Sequence, residues 1–160
     1  MSSEQEKPRV DLGPIIQVGL VVRDAEAAAQ AWTERFNFGP ARILDWPQDA
    51  ISATPNGTYR GQPGNFRMRL AFIETPSIQI EFIQPLEGDN IYSEWLEQHG
   101  EGLHHILFEV ADPEAVAAGL TVPILQSGSS TLRPGAIWTY LDTQELLKCI
   151  IEFRTKTQAA

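Results

Sequence analysis

The chain has 160 residues, 42% of them hydrophobic, which is enough to bury the core of one domain. Twelve basic against 21 acidic side chains give a net charge of −9, which argues against a phosphate backbone as partner, and no apolar run approaches the roughly 20 residues that span a bilayer. The single cysteine, Cys149, rules out an internal disulfide and a cysteine-rich zinc site, and the polar N-terminus lacks the apolar core of a signal peptide. The expectation is therefore a cytoplasmic protein with neither a nucleic-acid nor a membrane partner.

Residues 1–12 are polar with little periodicity and read as a flexible arm, as do residues 155–160. Residues 15–22 form an apolar, β-branched run interrupted by one amide, Gln17, short enough to be a strand. Asp24 then caps a helix whose apolar stripe (Ala27, Ala28, Ala31, Trp32, Phe36) runs to Gly39-Pro40. Residues 41–46 suit a short strand. Residues 47–64, rich in proline and glycine, read as a long loop expected to cover a pocket mouth. Two alternating segments, 66–74 and 78–83, read as a hairpin that ends a first βαβββ unit spanning residues 14–85. A linker helix is expected over 89–99, closed by Gly100 and Gly102. Residues 103–110 form the next strand, and Asp112-Pro113-Glu114 opens another helix. Residues 128–135 read as loop, and 136–141 with 148–154 as a final strand pair. This completes a second βαβββ unit over 102–154 with a shortened helix.

The two units are related. With Gln17 set against His105, an offset of 88, QVGLVVRDAEAAA lies over HILFEVADPEAVA with Val, Asp, Glu and two Ala coinciding. With Glu81 set against Glu152, IEF lies over IEF. Alternate residues of a strand face opposite sides, so Ile16, Val18, Leu20 and Val22 turn towards the helices while Gln17 and Gly19 turn the other way. His105 follows Gln17 by the repeat, and Glu81 and Glu152 interrupt otherwise apolar strands. Buried together, two carboxylates repel each other and take up protons unless a cation keeps them charged.

On the patterns IIQVGLVVRD, IQIEFIQPLEG, HGEGLHHILFEV and the closing IIEF, the chain resembles the vicinal-oxygen-chelate (glyoxalase/bleomycin resistance/dioxygenase) superfamily over residues 14–154. Within it, methylmalonyl-CoA epimerase and glyoxalase I look most similar. The resemblance implies an α+β fold of two βαβββ modules forming a pair of half-barrels, within one domain over residues 13–155. It also implies one divalent metal (Zn, Co, Ni, Mn or Mg) held by Gln17, Glu81, His105 and Glu152, with Glu152 or Glu81 as catalytic base. Of the two adjacent histidines, His105 matches the ligand position, and His104 is expected to face the helix layer or solvent.

Three oxygen ligands and one imidazole suit an octahedral cation with open positions. Such a site can polarise a carbonyl while a glutamate removes the adjacent proton. The activity the resemblance implies is that of a metal-dependent isomerase or epimerase acting on a small molecule, an acyl-CoA thioester among the candidates. Departures bear on the alternatives. Methylmalonyl-CoA epimerases typically have His at the position of Gln17. Glyoxalase I, a lyase, places a glutathione-binding arginine where this chain has Val21, and ring-cleaving dioxygenases need two histidines and a carboxylate. A sequestering protein of the bleomycin-resistance kind is the alternative from another class, with Trp32, Trp46, Trp95 and Trp138 as possible walls. A homodimer is expected, with Tyr92 and Trp95 available for pairing. Arg60, Arg67 and Arg69 read as solvated surface.

Overall fold

A computed structural model of the chain describes residues 8–48 and 54–156. In chain order the elements are β1 (Gln17–Val21), α1 (Ala25–Thr33), β2 (Arg42–Trp46), β3 (Thr58–Tyr59), β4 (Gln62–Pro63), β5 (Arg67–Glu74), β6 (Gln79–Glu87), α2 (Ile91–His99), β7 (Gly102–Val110), α3 (Pro113–Leu120), β8 (Ile124–Ser129), β9 (Ile137–Leu141), α4 (Gln144–Leu147) and β10 (Ile150–Thr155). Among the described residues no helix is long and apolar enough to cross a membrane.

The duplication read from the sequence is present in the backbone. The strand order β2-β5-β6-β1-β7-β10-β9-β8-β3-β4 places two four-stranded units side by side. In each, the first strand lies parallel to the last, as β1 does to β6 and β7 to β10. The units join where β1 and β7 pair antiparallel, with Val18 opposite Ile106. Those two residues are themselves repeat equivalents at the offset of 88, so the local two-fold axis passes between them. The helices repeat as well. Asp24 accepts from the Ala27 amide, and its equivalent Asp112 accepts from the Ala115 amide, each satisfying a donor that the first helical turn leaves free.

The sheet curls so that its two halves face each other, giving an α+β half-barrel pair. Trp46 on β2 meets Trp138 on β9 with ring centroids 5.6 Å apart, and the Trp46 indole N–H donates to Thr131 Oγ1 at 2.7 Å. On the outer face, Ala25 and Ala29 of α1 pack on Ile73, Ile80 and Phe82. Ala117 of α3 packs in the same way with Leu141, Ile151 and Phe153. The third apolar cluster fills the inner face, with α2 inserted through Ile91 and Tyr92.

Several sequence expectations change. The segment 47–64 is not simply a loop: β3 and β4 form a hairpin, and β3 extends the sheet from the edge of β8. Residues 49–53 of that segment, residues 1–7 of the expected arm and residues 157–160 at the C-terminus lie outside the described residues. Strand β8 continues to Ser129, Thr155 belongs to β10, and the short helix α4 was not anticipated. The helix of the second unit is barely shortened, with 8 residues in α3 against 9 in α1. The shorter second unit instead reflects residues 130–136, which join β8 to β9 where 47–66 join β2 to β5. Tyr92 and Trp95 do not form an outward pairing surface: Tyr92 is 1% exposed, and Trp95 packs against the inner cluster.

Candidate metal centre and its cavity

The four residues singled out in the sequence come from the four central strands. Gly19 on β1 lies between Glu81 on β6 and His105 on β7, and Leu107 on β7 lies between Gln17 on β1 and Glu152 on β10. The two-fold axis exchanges these rows, so the offset that aligned the sequences also sets the geometry. Glu81, His105 and Glu152 each bring a potential ligand atom within 4.8 Å of the others. His105 Nε2 is 3.1 Å from Glu152 Oε2 and 3.5 Å from Glu81 Oε2. All four side chains are buried.

Gln17 Oε1, His105 Nε2 and Glu152 Oε2 are each buried without a hydrogen-bond partner. A buried polar atom left unpaired costs about 1–3 kcal/mol, so the orphaned Gln17 Oε1, beside a His105–Glu152 contact that makes no well-formed hydrogen bond, points to a ligand that satisfies these atoms. An oxygen-rich set with one imidazole is the donor chemistry of a divalent cation, and the four residues fit such an ion.

Neighbouring groups orient the donors. Gln17 Nε2 donates to Gln79 Oε1 at 2.6 Å, and Gln79 Nε2 donates to Glu74 Oε1 at 2.5 Å. With its amide nitrogen committed, Gln17 presents its oxygen. His105 Nδ1 lies 3.0 Å from His104 Nδ1. Burial holds the His104 pKa well below the usual histidine range, so His104 is neutral and its Nδ1 can accept from a protonated His105 Nδ1. His105 then presents Nε2 to the carboxylates, where a bound ion would take the place of its second proton. Burial pushes the Glu81 pKa up. Burial opposes charge on His105, but with no ion bound the adjacent carboxylates of Glu152 and Glu81 prevail and raise its pKa to about 9.

His104 does not behave as strand alternation predicts. The β1·β7 register slips between Gly19, opposite His105, and Leu20, opposite Leu103, leaving His104 as the extra residue of a bulge. Its ring is buried against Tyr92 and Trp95 of helix α2 and Tyr140 of β9, so of the two expected surroundings it has a helix and not solvent. Replacing His104 by Phe keeps the ring volume and removes the acceptor. Metal affinity is expected to fall about 10- to 100-fold with little change in melting temperature, as titration calorimetry beside a thermal scan can show.

The glycine at position 19 is dictated by the same contact. A Cβ built there would lie 1.9 Å from His105 Cε1, so the imidazole rests on the bare backbone of β1.

Gln17, Glu81 and Glu152 open on a cavity of about 340 Å³. Its apolar walls include Met68, Leu70, Phe72, Trp46 and Trp138, and Tyr92 and Tyr140 stand beside Glu152. Burial, followed by the charge of Glu152, pushes both phenols well above the usual tyrosine range, so they remain protonated donors. The described part of 47–64 does not line this cavity; Ser130, Leu132 and Arg133, which follow β8, do. Arg60, Arg67 and Arg69 are ion-paired to Glu94, Glu87 and Asp45.

Comparison with known proteins agrees with this architecture. A family model described as the Glyoxalase/Bleomycin resistance protein/Dioxygenase superfamily matches residues 16–122. The protein YqjC of Bacillus subtilis (strain 168) is 40% identical over 42 residues, a match covering 26% of this chain and 30% of that protein. A hypothetical protein from Bacillus halodurans C-125 superposes with a TM-score of 0.66 at 18% identity, covering 92% of this chain and 96% of its own. Methylmalonyl-CoA epimerase from Streptomyces coelicolor, solved in complex with 2-nitronate-propionyl-CoA, superposes with a TM-score of 0.62 at 21% identity, covering 92% and 96%.

Proposed function

The chain belongs to the Glyoxalase/Bleomycin resistance protein/Dioxygenase superfamily, and we propose that it is a metal-dependent isomerase or epimerase that removes a proton next to a carbonyl, in the manner of methylmalonyl-CoA epimerase. Gln17, Glu81, His105 and Glu152 are the residues that would hold the ion. The observation that carries the reading is the convergence of buried ligand atoms from Glu81, His105 and Glu152 within 4.8 Å of one another, with the unpartnered Gln17 Oε1 on the same face.

A divalent cation held by these residues would supply positive charge that polarises a substrate carbonyl and makes the adjacent C–H more acidic. The chain's own residues do the rest. A carboxylate of Glu152 or Glu81 takes the proton from the carbon beside the carbonyl, the C–H electron pair moves towards the carbonyl oxygen, and the proton returns to either face of the planar carbon. The protonated hydroxyls of Tyr92 and Tyr140 can donate to the developing oxyanion. An acyl-CoA thioester is the first substrate class to test.

A glyoxalase I-type lyase shares the ligand set, but Val21, where that reading needs an arginine, is completely buried in the inner cluster. The sequestration reading has Trp46 and Trp138 at the cavity, yet their rings stand at 76° to each other and offer no slot for a flat ligand. Trp32 packs with Phe36, Phe38 and Phe82 on the far side of the sheet, and Trp95 stacks on His99.

About one divalent ion per chain is expected after metal loading and dialysis, measured by elemental analysis, and His105→Ala should retain far less. Wild-type content in both His105→Ala and Glu152→Gln would overturn the assignment.

A further inference from the structure

Three arginines line the same cavity from separate parts of the chain: Arg42 on β2, Arg133 between β8 and β9, and Arg154 on β10. Two of them share one carboxylate. Arg154 Nη2 donates to Glu109 Oε1 at 2.8 Å, and Arg133 Nη1 lies 3.9 Å from that oxygen. Arg42 has no carboxylate within ion-pair distance among the described residues, and its guanidinium carbon sits 4.7 Å from the centroid of the Phe72 ring. The Arg154 side chain is only 13% exposed, and its Nε is buried without a partner. The Arg133 pKa is lowered, first by burial and then by Arg154, with a smaller contribution from Arg42. The three cations share the cavity with Glu81 and Glu152, and among the described residues only Glu109 lies within ion-pair distance of any of them, so guanidinium donors remain free in a chain of net charge −9.

Register sets their distance from the metal centre. Arg154 lies two residues beyond Glu152 on β10, on the same face and one pleat repeat away, roughly 6–7 Å. Arg42 stands opposite Phe72, which stands opposite Glu81, so it occupies the Glu81 row at the sheet edge. We propose that this arginine cluster binds a second, anionic group of the substrate, a carboxylate or phosphate held two or three carbons from the oxygens that reach Gln17, Glu81, His105 and Glu152. The inference rests on the reading of those four residues as the reaction centre and adds the substrate's charge and length to it. Guanidinium forks match planar or tetrahedral oxyanions, and the apolar walls fit the carbons between.

Three probes of equal chain length separate the possibilities: 2-oxoglutarate, 2-oxo-4-phosphonobutanoate and 2-oxopentanoate, which carry a terminal carboxylate, phosphonate and methyl group on the same 2-oxo acid head. Calorimetric titration of the full chain, with and without Co(II), should show one of the two charged probes binding on the order of tenfold or more tighter than 2-oxopentanoate. Which one wins identifies the oxyanion. In the Arg42→Gln/Arg133→Gln double variant, with both changes at the cavity mouth, that preference should vanish while Co(II) affinity stays at the wild-type level. Equal binding of all three probes to the wild type, or a preference that survives in the double variant, overturns the inference. A preference that is present but indifferent to Co(II) upholds the arginine site and instead removes the metal from the reading of the reaction centre.

Discussion

Glu152→Gln is expected to slow exchange of the substrate's acidic C–H with heavy water by about 10²- to 10⁴-fold, the usual contribution of a positioned general base. Exchange reports proton removal alone, so it is visible by proton NMR even when no net product accumulates. The amide keeps the shape of the carboxylate and an oxygen on the buried face of β10, so substrate binding should persist wherever the ion is retained, and metal content must be measured alongside. Glu81→Gln needs its own measurement, because Glu81 and Glu152 are related by the internal two-fold axis and both approach His105 Nε2. Acyl-CoA thioesters, hemithioacetals and 2-oxo compounds are the panel. If exchange persists in both variants, or if every compound binds without exchange, the isomerase reading falls and sequestration takes its place.

Gly19→Ala should abolish the site from a position that carries no functional group. The added Cβ would overlap the His105 ring, with Cε1 at 1.9 Å, Nε2 at 2.3 Å and Nδ1 at 2.4 Å. Nothing there can yield cheaply: β1 is fixed between β6 and β7, and His105 is pinned by His104 and Tyr140. Overpacking of this kind costs about 1–3 kcal/mol, and the imidazole must leave its position to relieve it. Metal affinity should fall by at least about 100-fold, beyond the usual loss from a supporting residue because a ligand itself is displaced. Gly39→Ala is the control, since a Cβ there meets nothing within 4 Å. Wild-type affinity in Gly19→Ala would mean that the ring does not lie over β1 and that the ligand geometry is wrong.

How much of this could be read in advance follows from what kind of contact each feature needs. The duplication, the four buried polar positions and the inner face of β1 depend on strand alternation and an internal offset, both of which are properties of the linear chain. Gln79 and Arg154 were equally within reach: each lies two residues from a glutamate already singled out, and alternation alone places them on the same face. Whether His104 meets a helix or solvent was left open, because alternation fails at a bulge and the bulge exists only in the pairing of β7 with β1.

The sequence by itself determined that two similar units each present one polar residue early and one late, because periodicity and repetition survive in one dimension. Only the tertiary structure decided that the His105 ring lies on Gly19, that His104 supports it, and that Tyr92 and Tyr140 stand beside Glu152. The same holds for Arg42, Arg133 and Arg154, which meet although they come from β2, the β8–β9 connection and β10. No local pattern encodes these meetings. They arise from the curl of the sheet, which brings residues far apart along the chain into one cavity.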